Sequence, residues 1–212
     1  MVKKLICIGD SITKGTYTAL GDSAPMSVAH PNFAEILQKK LGFGQLVNYG
    51  SNGISYSSLS PVLPESSLAK RCNDFECGDF ILLAAGTNDY GTDVPLGNFS
   101  DTEDVSFYGA ADKVFRCLKS KNPGIPFFVV LPIPRLSPAE NGKGYTLDDY
   151  RDALSKKAMR YSLHVIDGRG IGIDAADPQQ RALYMPDGTH PNEAGHKLYA
   201  DFLFAEILKK LH

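Results

Sequence analysis

Phe80-Ile81-Leu82-Leu83-Ala84-Ala85 is apolar without a break and runs into Gly86-Thr87-Asn88-Asp89. A strand with one wet face alternates apolar and polar residues. A continuous run marks a strand covered on both faces, as in a parallel sheet between layers of helices. Phe127 to Leu131 has the same character. Working outward, Leu5-Ile6-Cys7-Ile8, Leu46-Val47-Asn48-Tyr49 (the weakest) and Leu163-His164-Val165-Ile166 add three more strand-sized runs. Helical patterns separate them. Asn32 and Gly42 bracket Phe33 to Leu41 as N-cap and C′ residue. Glu103 to Lys121 carries Ala110, Val114, Phe115 and Leu118. Thr146 to Tyr161 opens like a capping box and carries Leu147, Tyr150, Leu154 and Ala158. Asn192 to Leu211 places Tyr199, Leu203 and Ile207 in one row and Ala200, Phe204, Leu208 and Leu211 in the next. A short, weaker helix is expected around Glu65 to Asn73. Strands alternating with helices predict right-handed βαβ crossovers. The expected fold is α/β: a three-layer α/β/α sandwich, flavodoxin-like, with a five-stranded parallel sheet.

Composition narrows the class further. The chain has 212 residues, 43% hydrophobic and 22% charged, with no internal repeat or low-complexity linker. A single domain over 1–212 is expected, burying about 70% of its unfolded surface. The 22 Lys and Arg against 24 Asp and Glu leave a formal charge of −2, which calls for neither nucleic acid nor an anionic membrane. No apolar run reaches the ~18 residues of a membrane span. The apolar run after Lys4 is too short for a signal-peptide core, so a cytoplasmic chain is expected unless a leader has been removed. The four cysteines, Cys7, Cys72, Cys77 and Cys117, fit free structural thiols. On a helix Cys72 and Cys77 would point about 140° apart, and no zinc-ligand spacing is present.

In a doubly wound sheet the site lies beyond the carboxyl ends of the strands. The unusual residues of this chain sit in those loops. Gly9-Asp10-Ser11-Ile12-Thr13 follows the first strand and puts Ser11 at a helix start, where backbone N–H groups face a developing oxyanion. Asn48-Tyr49-Gly50-Ser51-Asn52-Gly53 brings bare backbone to the cleft. Gly86-Thr87-Asn88-Asp89 offers the Asn88 side-chain amide as an oxyanion donor or, equally, as an Asx-turn closing the strand. Asp187-Gly188-Thr189-His190 allows a carboxylate to hold one imidazole nitrogen and leave the other for Ser11. Among the other histidines, His30, His196 and His212 are expected at the surface or in caps, and His164 within the strand layer.

Together the segments at 9–13, 48–53, 86–89 and 187–190 resemble the SGNH/GDSL hydrolase family in order and placement, over nearly the whole chain. The resemblance implies an α/β/α fold, no metal or cofactor, and a small-molecule or carbohydrate ester (or a thioester) as substrate. It implies Ser11 as nucleophile, Asp187 and His190 as the rest of a triad, and the Ser11 amide, Gly53 amide and Asn88 side chain as the oxyanion hole. Gly50 is the alternative donor to Gly53. The stretch Tyr90 to Phe107 is long for a simple connection and is expected to hold extra structure. The α/β-hydrolase fold shares the order Ser…Asp…His, but the Gly-x-Ser-x-Gly elbow is absent.

Other readings compete. Ser11-Ile12-Thr13-Lys14-Gly15-Thr16 also suits a phosphate cradle for a flavin or nucleotide, although this leaves Asn88, Asp187 and His190 idle. A hydrolase-like fold that only binds a ligand is a third. Within the hydrolases, a short-chain acyl ester, with acetyl on a carbohydrate as one form, leads over an acyl thioester or lysophospholipid. Tyr17, Tyr90, Phe99 and Tyr108 are candidate rim aromatics, with core packing an equal reading. Arg135 is expected in a surface ion pair, with an anionic substrate as its other use.

Overall fold

The computed structural model describes residues 2–18 and 25–211. His212, expected at the surface, lies outside them. The chain runs β1 (Lys4–Gly9), α1 (Ser11–Lys14), β2 (Thr16–Thr18), β3 (Met26–Val28), α2 (Phe33–Leu41), β4 (Gln45–Gly50), α3 (Leu68–Arg71), β5 (Phe80–Ala84), α4 (Thr87–Gly91), α5 (Phe107–Lys121), β6 (Phe127–Val130), α6 (Leu147–Arg160), β7 (His164–Ile166), α7 (Pro178–Tyr184) and α8 (Glu193–Leu211). Two short 3₁₀ turns, Pro64–Ser66 and Gly168–Ile171, complete it. The main sheet is all parallel with order β4-β1-β5-β6-β7. This is the doubly wound order in which the first strand lies inside and the second folds back to the edge.

Side-chain alternation along the strands feeds two separate cores. Ile6, Ile8, Ile81, Leu83, Phe127 and Val129 face α3, α5 and α6. Leu5, Cys7, Leu82, Phe128, Val130 and Ile166 face α2 and α8. The continuous apolar runs are explained by this arrangement, since each of the three inner strands has helices on both sides. β4, the weakest run, is the half-buried edge.

The helix boundaries follow their caps. Asn32 closes a capping box with Glu35, and Gly42 ends α2 in the left-handed region. Thr146 forms the same box with Asp149. The helix expected from Glu103 starts instead at Phe107, because Ser106 Oγ accepts the Gly109 amide and caps it. The weak helix expected at 65–73 divides into the Pro64–Ser66 turn and α3. In α8 the row Tyr199, Leu203, Ile207 is buried, but Leu208 and Leu211 of the second row are exposed.

Beyond α4, the long stretch up to Phe107 is irregular chain rather than an extra element. It is pinned by its own polar groups: Ser57 Oγ donates to Asp104 at 2.6 Å, Lys157 Nζ to Asp101 O at 2.6 Å and the Phe107 amide to Pro95 O at 2.8 Å. The antiparallel pair β2–β3 was not foreseen. The four cysteines are free. No helix among the described residues is long and apolar enough to cross a membrane.

One contact sets the spacing at the sheet's carboxyl edge. A Cβ on Gly50 would lie 2.2 Å from the Lys14 amide nitrogen, at the end of α1. Backbone cannot yield there as a flexible side chain would. Gly50→Ala is expected to lower stability by ~1–3 kcal/mol, read from the midpoint of urea unfolding with an unchanged slope.

Candidate active site

Each element of the site is set by a local rule. Asp10 caps α1 by accepting the Ile12 amide at 2.9 Å, so Ser11 becomes the first helical residue. Asp187 Oδ1 accepts the amides of Thr189 (2.9 Å) and His190 (2.7 Å). That turn carries His190 back over the carboxylate, and His190 Nδ1 donates to Asp187 Oδ2 at 2.8 Å. With the Nδ1 proton committed, Nε2 accepts the Ser11 hydroxyl at 2.8 Å. Residues 179 positions apart thus meet in one hydrogen-bonded chain.

The expected oxyanion donors lie in the loops that follow β4 and β5, the two strands paired with β1. Gly50 is ruled out of that role, since its amide donates to Asn48 Oδ1 at 2.8 Å. Gly53 has a positive φ of 73°, which suits glycine, and its amide donates to no described protein atom. Asn88 makes no Asx-turn. Its Nδ2 donates one proton to Ile54 O at 2.7 Å, and the second meets no acceptor among the described residues.

Thr18 and Asp89 act in the site without having been singled out in the sequence. Thr18, at the end of β2, donates its hydroxyl to Asp187 Oδ2 at 2.9 Å. The alternation of Thr16-Tyr17-Thr18 was the available sign of a strand, but nothing local pointed to position 187. Asp89, fully buried, accepts the amides of Tyr56 (2.9 Å) and Ser57 (3.0 Å). Together Asn88 and Asp89 clamp the segment that follows Gly53.

The three carboxylates differ in proton affinity for a physical reason. Burial pushes Asp187 up, but the His190 side chain, two backbone amides and the imidazole's charge outweigh it and hold the carboxylate well below its usual range. Burial dominates at Asp10, pushed up to about 6, and at Asp89, pushed up to about 7, against only a few amide donors.

Other expectations are corrected by packing. His196 is buried, not superficial: it stacks on Phe33 with centroids 5.9 Å apart and accepts the Phe33 amide at 3.4 Å. Burial lowers its pKa to about 4, so it is neutral near pH 7. His30 is exposed, and His164 stacks on Phe128. Tyr90 and Tyr108 are buried, and Phe99 packs on Tyr108 and over Lys157, while Tyr17 stays half-buried beside Thr18. The phosphate-cradle hydroxyls are spent elsewhere, Thr13 on Ala84 O and Thr16 on Asn52 Oδ1. Arg135 is in no ion pair among the described residues. It is half-buried, and its Nη1 donates to Thr87 O and Oγ1.

This arrangement is chemically suited to activating a hydroxyl and holding a developing negative charge next to it. Comparisons agree in class. The sequence pattern of the GDSL-like lipase/acylhydrolase family matches residues 7–198. No curated protein sequence matches. A crystal structure from Lactobacillus plantarum is 28% identical with a TM-score of 0.84, covering 100% of this chain and 98% of that one. The aryl esterase of M. smegmatis is 19% identical with a TM-score of 0.66, covering 98% and 99%. A member of the lipolytic G-D-S-L family from Veillonella parvula is 20% identical with a TM-score of 0.61, covering 95% and 96%. The last two establish a shared fold.

Two expectations arise from the residues newly placed here. Thr18→Val keeps the side-chain shape and removes one hydrogen bond to Asp187. It should lower kcat toward an ester by roughly 10-fold, and Thr18→Ser should restore most of it. Folded Asp89 keeps its proton up to about 7, whereas an unfolded Asp releases it near ~3.9. The folded state therefore holds more protons in that window, and the stability this group contributes falls as pH rises from roughly 4 through 7. Asp89→Asn should remove that slope, seen as a Tm difference between wild type and variant that changes across the window and levels off above it.

Proposed function

We propose, from the premise that the chain belongs to the GDSL-like lipase/acylhydrolase family, that this ester hydrolase cleaves short-chain acyl esters through an acyl-enzyme on Ser11. The observation that carries the assignment is the Ser11–His190–Asp187 chain, with both links at 2.8 Å. His190 takes the Ser11 proton as Oγ attacks the ester carbonyl, and Asp187 orients the imidazole and stabilises its charge. The amides of Ser11 and Gly53 and the second Asn88 proton bind the oxyanion. His190 returns its proton to the leaving alcohol. It then takes one from the water that attacks the acyl-enzyme, and Ser11 is released with a carboxylic acid as product.

Of the rim aromatics Tyr17 is half-buried and precedes Thr18, which bonds to Asp187. One observation favours a second reading, a longer acyl chain as in a thioester or lysophospholipid. Val62 and Leu63 are 43% and 50% exposed and are the nearest side chains to the Cα of Gly53 on the face where a Cβ would stand. They form an apolar strip alongside the oxyanion donor.

Ser11→Ala should lose ~10⁴-fold or more of ester turnover with an unchanged circular dichroism spectrum. Retained turnover would remove Ser11 as the nucleophile. A series of para-nitrophenyl esters of rising acyl length separates the two substrate readings: kcat/KM falling beyond butyryl supports the first, and a rise supports the second.

A further inference from the structure

Arg135 follows β6 and is held between the two loops that carry the chemistry. Its neighbour Leu136 donates its amide to Gly188 O at 2.6 Å, between Asp187 and His190. On the other side Arg135 Nη1 donates to Thr87 O (3.2 Å) and Thr87 Oγ1 (3.1 Å), one residue before Asn88. The rest of the guanidinium is unsatisfied within the protein. Nε is buried without a partner, and Nη2 donates to no described protein atom.

Arg135 also borders an open cleft of about 410 Å³, shared with Tyr90, Ser137, Thr146, Arg151 and Arg169. The other two arginines have carboxylates: Arg151 pairs with Asp148 at 2.8 Å, and Arg169 with Asp167 at 2.6 Å. Arg135 forms no ion pair among the described residues. The carboxylates nearest in the site are committed, Asp187 to His190 and Thr18, and Asp10 to the Ile12 amide. Two neutral oxygens of Thr87 do not balance a half-buried cation, and such a cation costs stability. A local cost with no structural return is expected where a ligand supplies the missing partner. A guanidinium suits a carboxylate or phosphate because its fork of donors is planar and always charged.

We infer that Arg135 recognises an anionic group, carboxylate or phosphate, on the ester that Ser11 cleaves, seated in the cleft between α4, residues 134–139 and the start of α6. This rests on the esterase reading above. The anion therefore lies on either the acyl or the alcohol side of the scissile bond, and it decides which esters are used.

The test compares matched pairs. para-Nitrophenyl hemisuccinate against para-nitrophenyl butyrate places a carboxylate on the acyl side. para-Acetoxybenzoate against its methyl ester places a carboxylate on the alcohol side, and para-acetoxyphenyl phosphate places a phosphate there. In wild type, the anionic member of at least one pair should have the higher kcat/KM, with the preference shrinking as salt is added. Arg135→Gln should lower the ratio of anionic to neutral kcat/KM by ~10-fold or more, and Arg135→Lys should recover part of it. Equal ratios in wild type and Arg135→Gln for every pair would overturn the inference, as would a parallel fall of both members. If Arg135→Gln does not fold, the ratio in Arg135→Lys and the salt dependence in wild type decide. If wild type cleaves no ester, the esterase reading fails separately. Thermal stabilisation by succinate or inorganic phosphate, present in wild type and lost in the variant, then still reads the anion site, and equal stabilisation of both removes it.

Discussion

The site depends on how closely the first turn of α1 can sit on the ends of the central strands. Gly9 pairs in register with both Gly50 and Ala84. A Cβ on Gly9 would stand 2.1 Å from Ala84 O, and one on Gly50 2.2 Å from the Lys14 amide. With hydrogen in both places, α1 settles onto the sheet edge and is fastened there. Asn48 Nδ2 donates to Thr13 O at 2.8 Å, Thr13 Oγ1 to Ala84 O at 3.2 Å and Asn32 Nδ2 to Lys14 O at 3.2 Å. Ser11 is thereby placed at the end of β1, between β4, which leads to Gly53, and β5, which leads to Asn88.

Charge in the site is apportioned by the number of donors each carboxylate meets. Asp187 collects four hydrogen bonds, from two amides, the imidazole and Thr18, and remains ionised despite burial. Asp10 and Asp89 meet fewer donors and are pushed up instead. In the proposed reaction only Asp187 needs a charge, because an imidazolium would be stabilised beside it. Asp89 serves as an acceptor, Oδ2 taking the Tyr56 amide and Oδ1 the Ser57 amide.

Much of this was legible in the sequence, because the relevant physics is local. Continuous apolar runs at 80–85 and 127–131 specify strands covered on both faces whatever lies elsewhere. Asn32, Gly42 and Thr146 terminate helices through bonds to backbone within four residues. Asp187 and His190 carry their own turn. Where local signals were absent, the expectation erred. The start of α5 moved to Phe107 because Ser106, not an upstream residue, caps it. His196 looked superficial because α2, which buries it, is more than 150 residues away.

What the sequence by itself determined is the alternation of strands and helices, their caps, and which loops bear reactive side chains. Each follows from the periodicity and backbone preferences of a few consecutive residues. Only the tertiary structure decided the partners. It occupied the Gly50 amide with Asn48, brought Thr18 to Asp187, clamped 54–57 with Asn88 and Asp89, and gave Arg135 no carboxylate among the described residues. These outcomes turn on distances of about 3 Å between residues tens of positions apart, and such distances exist only once the sheet register has brought the strand ends together.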